Sequence, residues 1–338
     1  MRHATKNLLR VAVLIVLCLL RHINVSGCDI CGCFIGVLPY DNQSSIGIMH
    51  RYRIFSGYPS ISRGTLFPQG AYRVSNPSSV LHTGHTNTLA PDDFESYKVI
   101  ELRGKLFIHE RVELNFILPF SENRSKTNGE IEKINGLGDA TILAGFHLVK
   151  TGSDKKFRHR LVLGAGIKLP TGNCSSTSGD GDRNFILIQN GTGSTDGIIY
   201  SAYTGGGNNF RWGATVSGKI NGTNKYNEHL SPSSASTVFF GYLLSSGDWH
   251  FLPQISGYHE FTRGLWENNQ LVAETKMNAA LAGPGLDVYY KNLRFSCDLQ
   301  LPVYEIESPA NLLNRGKLMI SFNWSFNQLH FLFHKKNV

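Results

Sequence analysis

The chain has 338 residues, a formal net charge of +8 and a sequence pI near 9.1, with 17% charged residues. Soluble domains usually carry about 25% charge, so the composition argues against an ordinary soluble domain. The basic excess forms no Lys/Arg-rich run and no nucleic-acid motif accompanies it, so it gives no case for a nucleic-acid partner.

The first element is a secretory signal over residues 1–27. Arg2, Lys6 and Arg10 precede a ten-residue apolar core, Val11–Leu20, which is too short to span a bilayer as a helix. Cleavage is expected after Gly27. Val25-Ser26-Gly27-Cys28 also fits a lipoprotein box, although Arg21-His22-Ile23-Asn24 separates it from the apolar core. Residues 28–43 then form a cysteine-rich segment, and 44–338 are read as one domain.

That domain reads as alternating strands in chain order. Ser44–Ile54 is followed by a long connection to Ser96. Tyr97–His109 and Val112–Phe120 flank Glu110-Arg111, and a long loop follows to Leu137. Gly138–Val149 and His159–Leu169 flank Thr151–Arg158, and a Gly/Ser/Asn/Asp loop runs to Thr195. Asp196–Gly205 and Phe210–Ile220 flank Gly206-Gly207-Asn208-Asn209. Ser236–Leu244 and Trp249–Glu260 flank Ser246-Gly247-Asp248. Gln270–Leu281 and Leu286–Leu301 flank Ala282-Gly283-Pro284-Gly285, and Gly316–Phe326 is last. The turn residues supply positive φ or a preset bend.

The twelve strands are joined by connections that alternate long and short. A transmembrane β-barrel has this layout, with short periplasmic turns and longer outer loops. A soluble all-β protein has no reason to sort its loops by parity. The fold expected is therefore all-β: an antiparallel transmembrane β-barrel of about twelve strands in a bacterial outer membrane, with both ends on the periplasmic side.

Alternation assigns the two faces. One is apolar, as in Ile100, Leu102, Leu106 and Ile108, or Leu318, Ile320, Phe322, Trp324 and Phe326, and is expected to meet lipid. The other carries mid-strand charges that would line a lumen. They are Arg51, Arg53, Glu101, Arg103, Lys105, Glu113, Arg160, Lys168, Lys219, Glu274, Lys276, Arg294, Asp298 and Lys317. Ten are basic and four acidic. One reading is a lumen selective for anionic solutes; the other is a set of ion pairs that plugs a narrow barrel.

Cys28-Asp29-Ile30-Cys31-Gly32-Cys33 is the sharpest local motif. Cys28, Cys31 and Cys33 can converge on a soft cation. Three thiolates complete a trigonal Cu(I) site but leave Zn(II) one ligand short. A disulfide in the oxidising periplasm and an acylated Cys28 are the other open readings. His82 and His85 in the first long loop form a weaker metal pair, against which stands a loop of solvated histidines. Cys174 and Cys297 are expected to play no chemical part. Catalytic motifs are missing: the chain has no Gly-x-Ser-x-Gly, His-Glu-x-x-His or phosphate loop. Gly191-Thr192-Gly193-Ser194 precedes a strand, so it lacks the helix terminus that binds anions.

Three ordered motifs carry a resemblance. They are Gly136-Leu137-Gly138-Asp139-Ala140, Lys168-Leu169-Pro170-Thr171-Gly172 and Gln189-Asn190-Gly191-Thr192-Gly193-Ser194-Thr195-Asp196, preceded by Leu118-Pro119-Phe120. Together they resemble the outer-membrane "transporter" family named for a role in phenol degradation through the meta pathway, over roughly residues 97 to 326. The start, Cys28 to Cys33 with Ser44-Ser45-Ile46-Gly47 and Arg51-Tyr52-Arg53, resembles a branch found in Bacteroidetes-type bacteria. The resemblance implies a barrel that passes a small organic solute, and supplies no catalytic residues. The expected function is passive transport of a small, anionic or aromatic solute, with outer-membrane lipid around the barrel and no enzyme activity. The alternatives are a barrel-anchored copper-type metal-binding protein and a lipid-modifying barrel enzyme. One departure from a usual barrel is the tail Asn327–Val338, with Leu329, Phe331 and Phe333, after the expected last strand.

Overall fold

The computed structural model describes residues 43–58, 90, 92–127, 129–151, 157–179, 181–272, 275–305 and 312–326. Twelve long strands make up the main sheet: β1 Ser44–Ser56, β2 Phe94–His109, β3 Val112–Thr127, β4 Thr141–Lys150, β5 Phe157–Lys168 and β6 Asp196–Gly207. The others are β7 Phe210–Ile220, β8 Ser233–Tyr242, β9 Trp249–Thr262, β10 Met277–Tyr290, β11 Leu293–Glu305 and β12 Asn314–Phe326. Each pairs antiparallel with its sequence neighbours, and β1 pairs with β12 from Ser44↔Phe326 to Phe55↔Asn314. That last pairing closes the sheet into a barrel and leaves no open edge among these strands, as a bilayer requires.

Connection lengths sort by end. Glu110-Arg111, Asn208-Asn209, Gly247-Asp248 and Lys291-Asn292 are two-residue turns at one end, where Asn208, Gly247 and Lys291 have φ of 51°, 58° and 51°. Such positive φ values match the twist of a tight hairpin. The barrel ends Ser44 and Phe326 lie at this same end, as expected from an even strand count. All the long connections lie at the other.

Two expectations change. The loop after Phe120 is a hairpin instead: β3 runs on to Thr127 and pairs with Glu130–Leu137. The alternation gave no sign of it because this extension, still paired with β2 through Phe94↔Lys126, lies beyond the apolar band, where neither face needs to be apolar. The turn placed at Ala282-Gly283-Pro284-Gly285 lies inside β10, and the chain reverses at Lys291-Asn292. Pro284 has no N–H, and the β10–β11 ladder skips residues 283 and 284. Gln270–Val272 leaves the barrel altogether and joins Leu265–Glu267 and Glu228–Leu230 in a three-stranded cap. The count of twelve survives because shifting a turn moves strand boundaries and adds no strand.

The exterior is apolar. Ile46, Ile48, Ile100, Leu102, Leu163, Ile167, Ile199, Ile255, Phe295 and Phe322 all stand exposed on outward positions. Aromatic groups gather at the short-turn end: Phe210 against Phe240 and Tyr242, Trp249 against Tyr290, and Trp324 against Phe326. An apolar band bounded by aromatic rings is how a barrel meets a bilayer. Ile255 is 71% exposed between Phe240 and Pro284. Ile255→Lys is expected to destabilise the barrel in lipid vesicles by about 2–4 kcal/mol, read by denaturant unfolding. A change near zero would mean that this face is in water.

A lumen closed by an inward loop

The inward strand positions are polar. Arg51, Arg53, Glu101, Lys105, Glu113, Lys168, Lys219 and Lys317 are buried there, and Arg103, Arg160, Arg294 and Asp298 are partly buried. The charges are paired with one another. Glu101 binds Arg51 at 3.2 Å and also Arg103. Arg53 pairs with Glu260, which also accepts a hydrogen bond from Tyr258 at 3.0 Å, and Lys317 lies 3.5 Å over the Tyr258 ring. Glu113 bonds His147 at 2.9 Å, and Arg294 bonds Asp287 at 2.7 Å. Asp298 accepts from Gln254 at 3.1 Å.

Lys276 does not belong with these residues. It is exposed, lies one residue before β10 and has the outward parity of Asn278 and Ala280. The misplaced turn had put it in mid-strand. Glu274, Cys28, Cys31, Cys33, His82, His85 and the tail after Phe326 lie outside the described residues. Among the described residues no group of three His, Cys, Asp or Glu can hold a metal, and Cys174 and Cys297 are free.

Four acids outside the mid-strand set complete most of these pairs. Asp139, Asp196, Glu260 and Asp287 all supply carboxylates to lumen cations. Among the described residues ten buried carboxylates stand against six buried Lys and Arg, so the basic excess counted from mid-strand positions does not survive. The signal lay at strand ends, where Asp139, Asp196 and Glu260 sit, and on the stretch of β10 that the misplaced turn displaced.

The three ordered motifs meet at one point, on the loop of residues 169–195. Asp139 Oδ1 accepts the Gly172 N–H at 2.9 Å. Its Oδ2 accepts the Thr192 N–H at 2.9 Å, the Thr192 hydroxyl at 3.1 Å and the Lys168 ammonium at 2.5 Å. Lys168 also reaches Asp196 at 2.9 Å, and Asp196 accepts from Ser194 at 2.8 Å and from the Gly222 N–H at 3.1 Å. Thr171 Oγ1 accepts the Ala140 N–H and donates to the Gly138 carbonyl, both at 2.8 Å. A Cβ on Gly191 would stand 2.6 Å from Asp139 Oδ1 and from the Gly172 backbone. Only glycine lets these segments touch. What reads in sequence as turn chemistry is one clasp.

The clasp turns the loop inward. Its Phe185-Ile186-Leu187-Ile188 segment is buried in a cluster with Phe55, Tyr97, Leu230, Tyr258, Leu265 and Leu281. Asn123 donates to the Ile188 carbonyl at 2.9 Å, and Ser121 to Asn190 Oδ1 at 2.9 Å. Gln189 ties the loop to itself through Ser176 and Asn184. The long-loop mouth is thus covered by an apolar plug on a hydrogen-bonded frame.

Water-accessible spaces remain, among them two along the lumen. One of about 60 Å³ lies between loop residues 186–192 and a wall that includes Arg51, Arg53, Glu101, Asp139 and Lys168. The other, of about 150 Å³, lies toward the short-turn end. Arg103, Lys105 and Arg294 line it together with Glu113, Asp287 and Asp298, among Ser45, Asn115, Thr204, Thr215, Thr237, Ser256 and Asn323. A cavity needs at least roughly 10–15 Å³ on this measure to hold a water, so both spaces have room for water.

No protein-family model matches the chain, and a search of curated proteins gives no match. Solved structures do resemble it. An outer-membrane channel of Pseudomonas putida F1 overlaps with a TM-score of 0.61 at 13% identity, covering 86% of this chain and 97% of that one. The fold is that of an outer-membrane β-barrel. The β domain of a Bordetella autotransporter (TM-score 0.44, 10% identity, 85% of this chain and 100% of that one) and a monoaromatic hydrocarbon channel (0.35, 10%, 86% and 90%) superpose too loosely to bear on function.

Proposed function

We propose that this chain is an outer-membrane channel for passive passage of a small polar solute, and that the loop of residues 169–195 is the barrier across it. The observation that carries this is the clasp. The barrel wall encloses a polar lumen, and among the described residues its outer mouth is covered by this loop, tethered through Asp139 and packed against the three-stranded cap. A barrel serving only as an anchor needs no hydrated chamber. We also propose membership of the meta-pathway "transporter" family, which the three converging motifs support, and a cleaved signal over residues 1–27 that delivers the chain to the outer membrane.

The solute is small, since the larger chamber is about 150 Å³. The lining does not favour an anion, because three basic and three acidic side chains face that chamber. An aromatic solute finds Phe116, Tyr203 and Phe239 there, with Met49, Ile117 and Met319. In planar bilayers under a salt gradient, the purified barrel is expected to conduct with a reversal potential near zero. A strongly anion-selective current would restore the basic-lumen reading, and no current at all would defeat the channel.

The enzyme reading has one observation on its side. His250 Nδ1 lies 2.8 Å from Ser245 Oγ at the short-turn end. The two residues are direct cross-strand partners in a hairpin, and no carboxylate holds His250 among the described residues, so the pair reads as hairpin packing.

A further inference from the structure

Outward charges are rare on this barrel, and one cluster of them has a definite arrangement. Glu122 on β3 gathers three cations on the outer face: Lys98 of β2 at 3.3 Å, Arg124 at 2.9 Å and Lys133 at 2.9 Å. Strand register fixes the group, since Lys98 stands opposite Glu122 and Arg124 opposite Lys133. The cations are 40–46% exposed and the carboxylate 25%. The carboxylate therefore sits lower and the positive heads extend past it. Three positive charges against one negative leave an excess of two.

The cluster's position gives it meaning. The next outward pair on the same strands, one step toward the short turns, is Ile100 opposite Phe120, followed by Leu102 opposite Leu118. All four are exposed apolar groups of the lipid face. The charges thus begin where the hydrocarbon-facing band ends, on the long-loop side. Arg263 and Lys276 are likewise exposed beside the Thr262↔Met277 pair, at the long-loop ends of β9 and β10.

We infer that Lys98, Arg124 and Lys133 form a seat for the phosphate group of a phosphorylated glycolipid in the outer leaflet. A phosphate monoester carries about −1.5 to −2 charges at neutral pH, which matches the excess of two. Arg124 offers a planar fork, and the two lysines offer point charges for the remaining oxygens. Glu122 holds the three cations together against their mutual repulsion. The acyl chains of the same lipid would lie along Ile100, Leu102, Leu118 and Phe120, so one molecule satisfies both the charge and the apolar surface next to it. Free phosphate would use only the first.

The inference rests on the outer-membrane placement proposed above, and its test needs no current through the barrel. Full-length protein in detergent is examined by native mass spectrometry with bisphosphorylated lipid A, with the same lipid dephosphorylated, and with inorganic phosphate as competitor. Wild type is expected to retain one bisphosphorylated lipid. The K98Q/R124Q/K133Q variant, altered only at exposed positions, is expected to lose about a hundredfold in affinity while its conductance stays that of wild type. Equal retention by the variant, or of the dephosphorylated lipid, would overturn the seat. Displacement by inorganic phosphate at the lipid's own concentration would make it a free-phosphate site and also overturn the inference.

Discussion

Asp139→Ala is expected to open the channel. The Asp139 carboxylate accepts from two backbone N–H groups, one hydroxyl and one ammonium, and so holds Gly172 and Thr192 together across the loop. Removing one member of a buried charge pair costs about 3–5 kcal/mol, and each 1.4 kcal/mol is a factor of about ten in an equilibrium. The inward loop should therefore spend roughly a hundred to a few thousand times more of its time displaced. The barrel should survive, because β4 and β5 stay paired through Thr141–Lys150 and Arg160–Lys168, and Lys168 keeps Asp196. In planar bilayers the variant should show longer and larger openings than wild type, with its heat-modifiable mobility on gels preserved. Unchanged conductance from a folded variant would remove the loop as the barrier.

Gly283→Ala should damage assembly of the wall itself. A Cβ at Gly283 would stand 1.9 Å from the Leu299 carbonyl oxygen, which is backbone and cannot swing away. Overpacking of this kind costs about 1–3 kcal/mol and at times more, and here it falls on a ladder already interrupted beside Pro284. The folded fraction on a heat-modifiability gel and the denaturant midpoint should both fall. The same substitution in an exposed turn would be nearly silent, since Gly283 does not have a positive φ. The variant thus separates a mid-strand glycine from a turn glycine.

That glycine shows where sequence reading worked and where it stopped. Alternation located β2 and β3 closely, because Ile100, Leu102, Leu118 and Phe120 face lipid while Glu101, Arg103 and Glu113 face inward. A period of two leaves little freedom when one side is hydrocarbon. Ala282-Gly283-Pro284-Gly285 has turn composition but lies in strand. The true turn, Lys291-Asn292, carries a lysine at positive φ that composition does not flag. The extension of β3 escaped because it leaves the bilayer and needs no apolar face. In the candidate site, most of the inward cations were legible, and their partners Asp139, Asp196 and Asp287 were not. Two of those acids sit inside the three ordered motifs, where each motif alone looked like a bend. The overlooked clue was Phe185-Ile186-Leu187-Ile188. Four apolar residues in a Gly/Ser/Asn/Asp loop have no reason to face water, and all four are buried.

The most direct test is to lock the loop in place. Ser121 Oγ and Asn190 Oδ1 are 2.9 Å apart across the loop–wall contact, so cysteines at these two positions place one thiol on the loop and one on the wall at the contact to be cross-linked. The S121C/N190C variant, with its native cysteines replaced by serine, is to be recorded in planar bilayers first oxidised and then reduced. The oxidised barrel is expected to be shut, and reduction to restore wild-type openings. Equal currents in the two states, with the cross-link verified by mass, would contradict it.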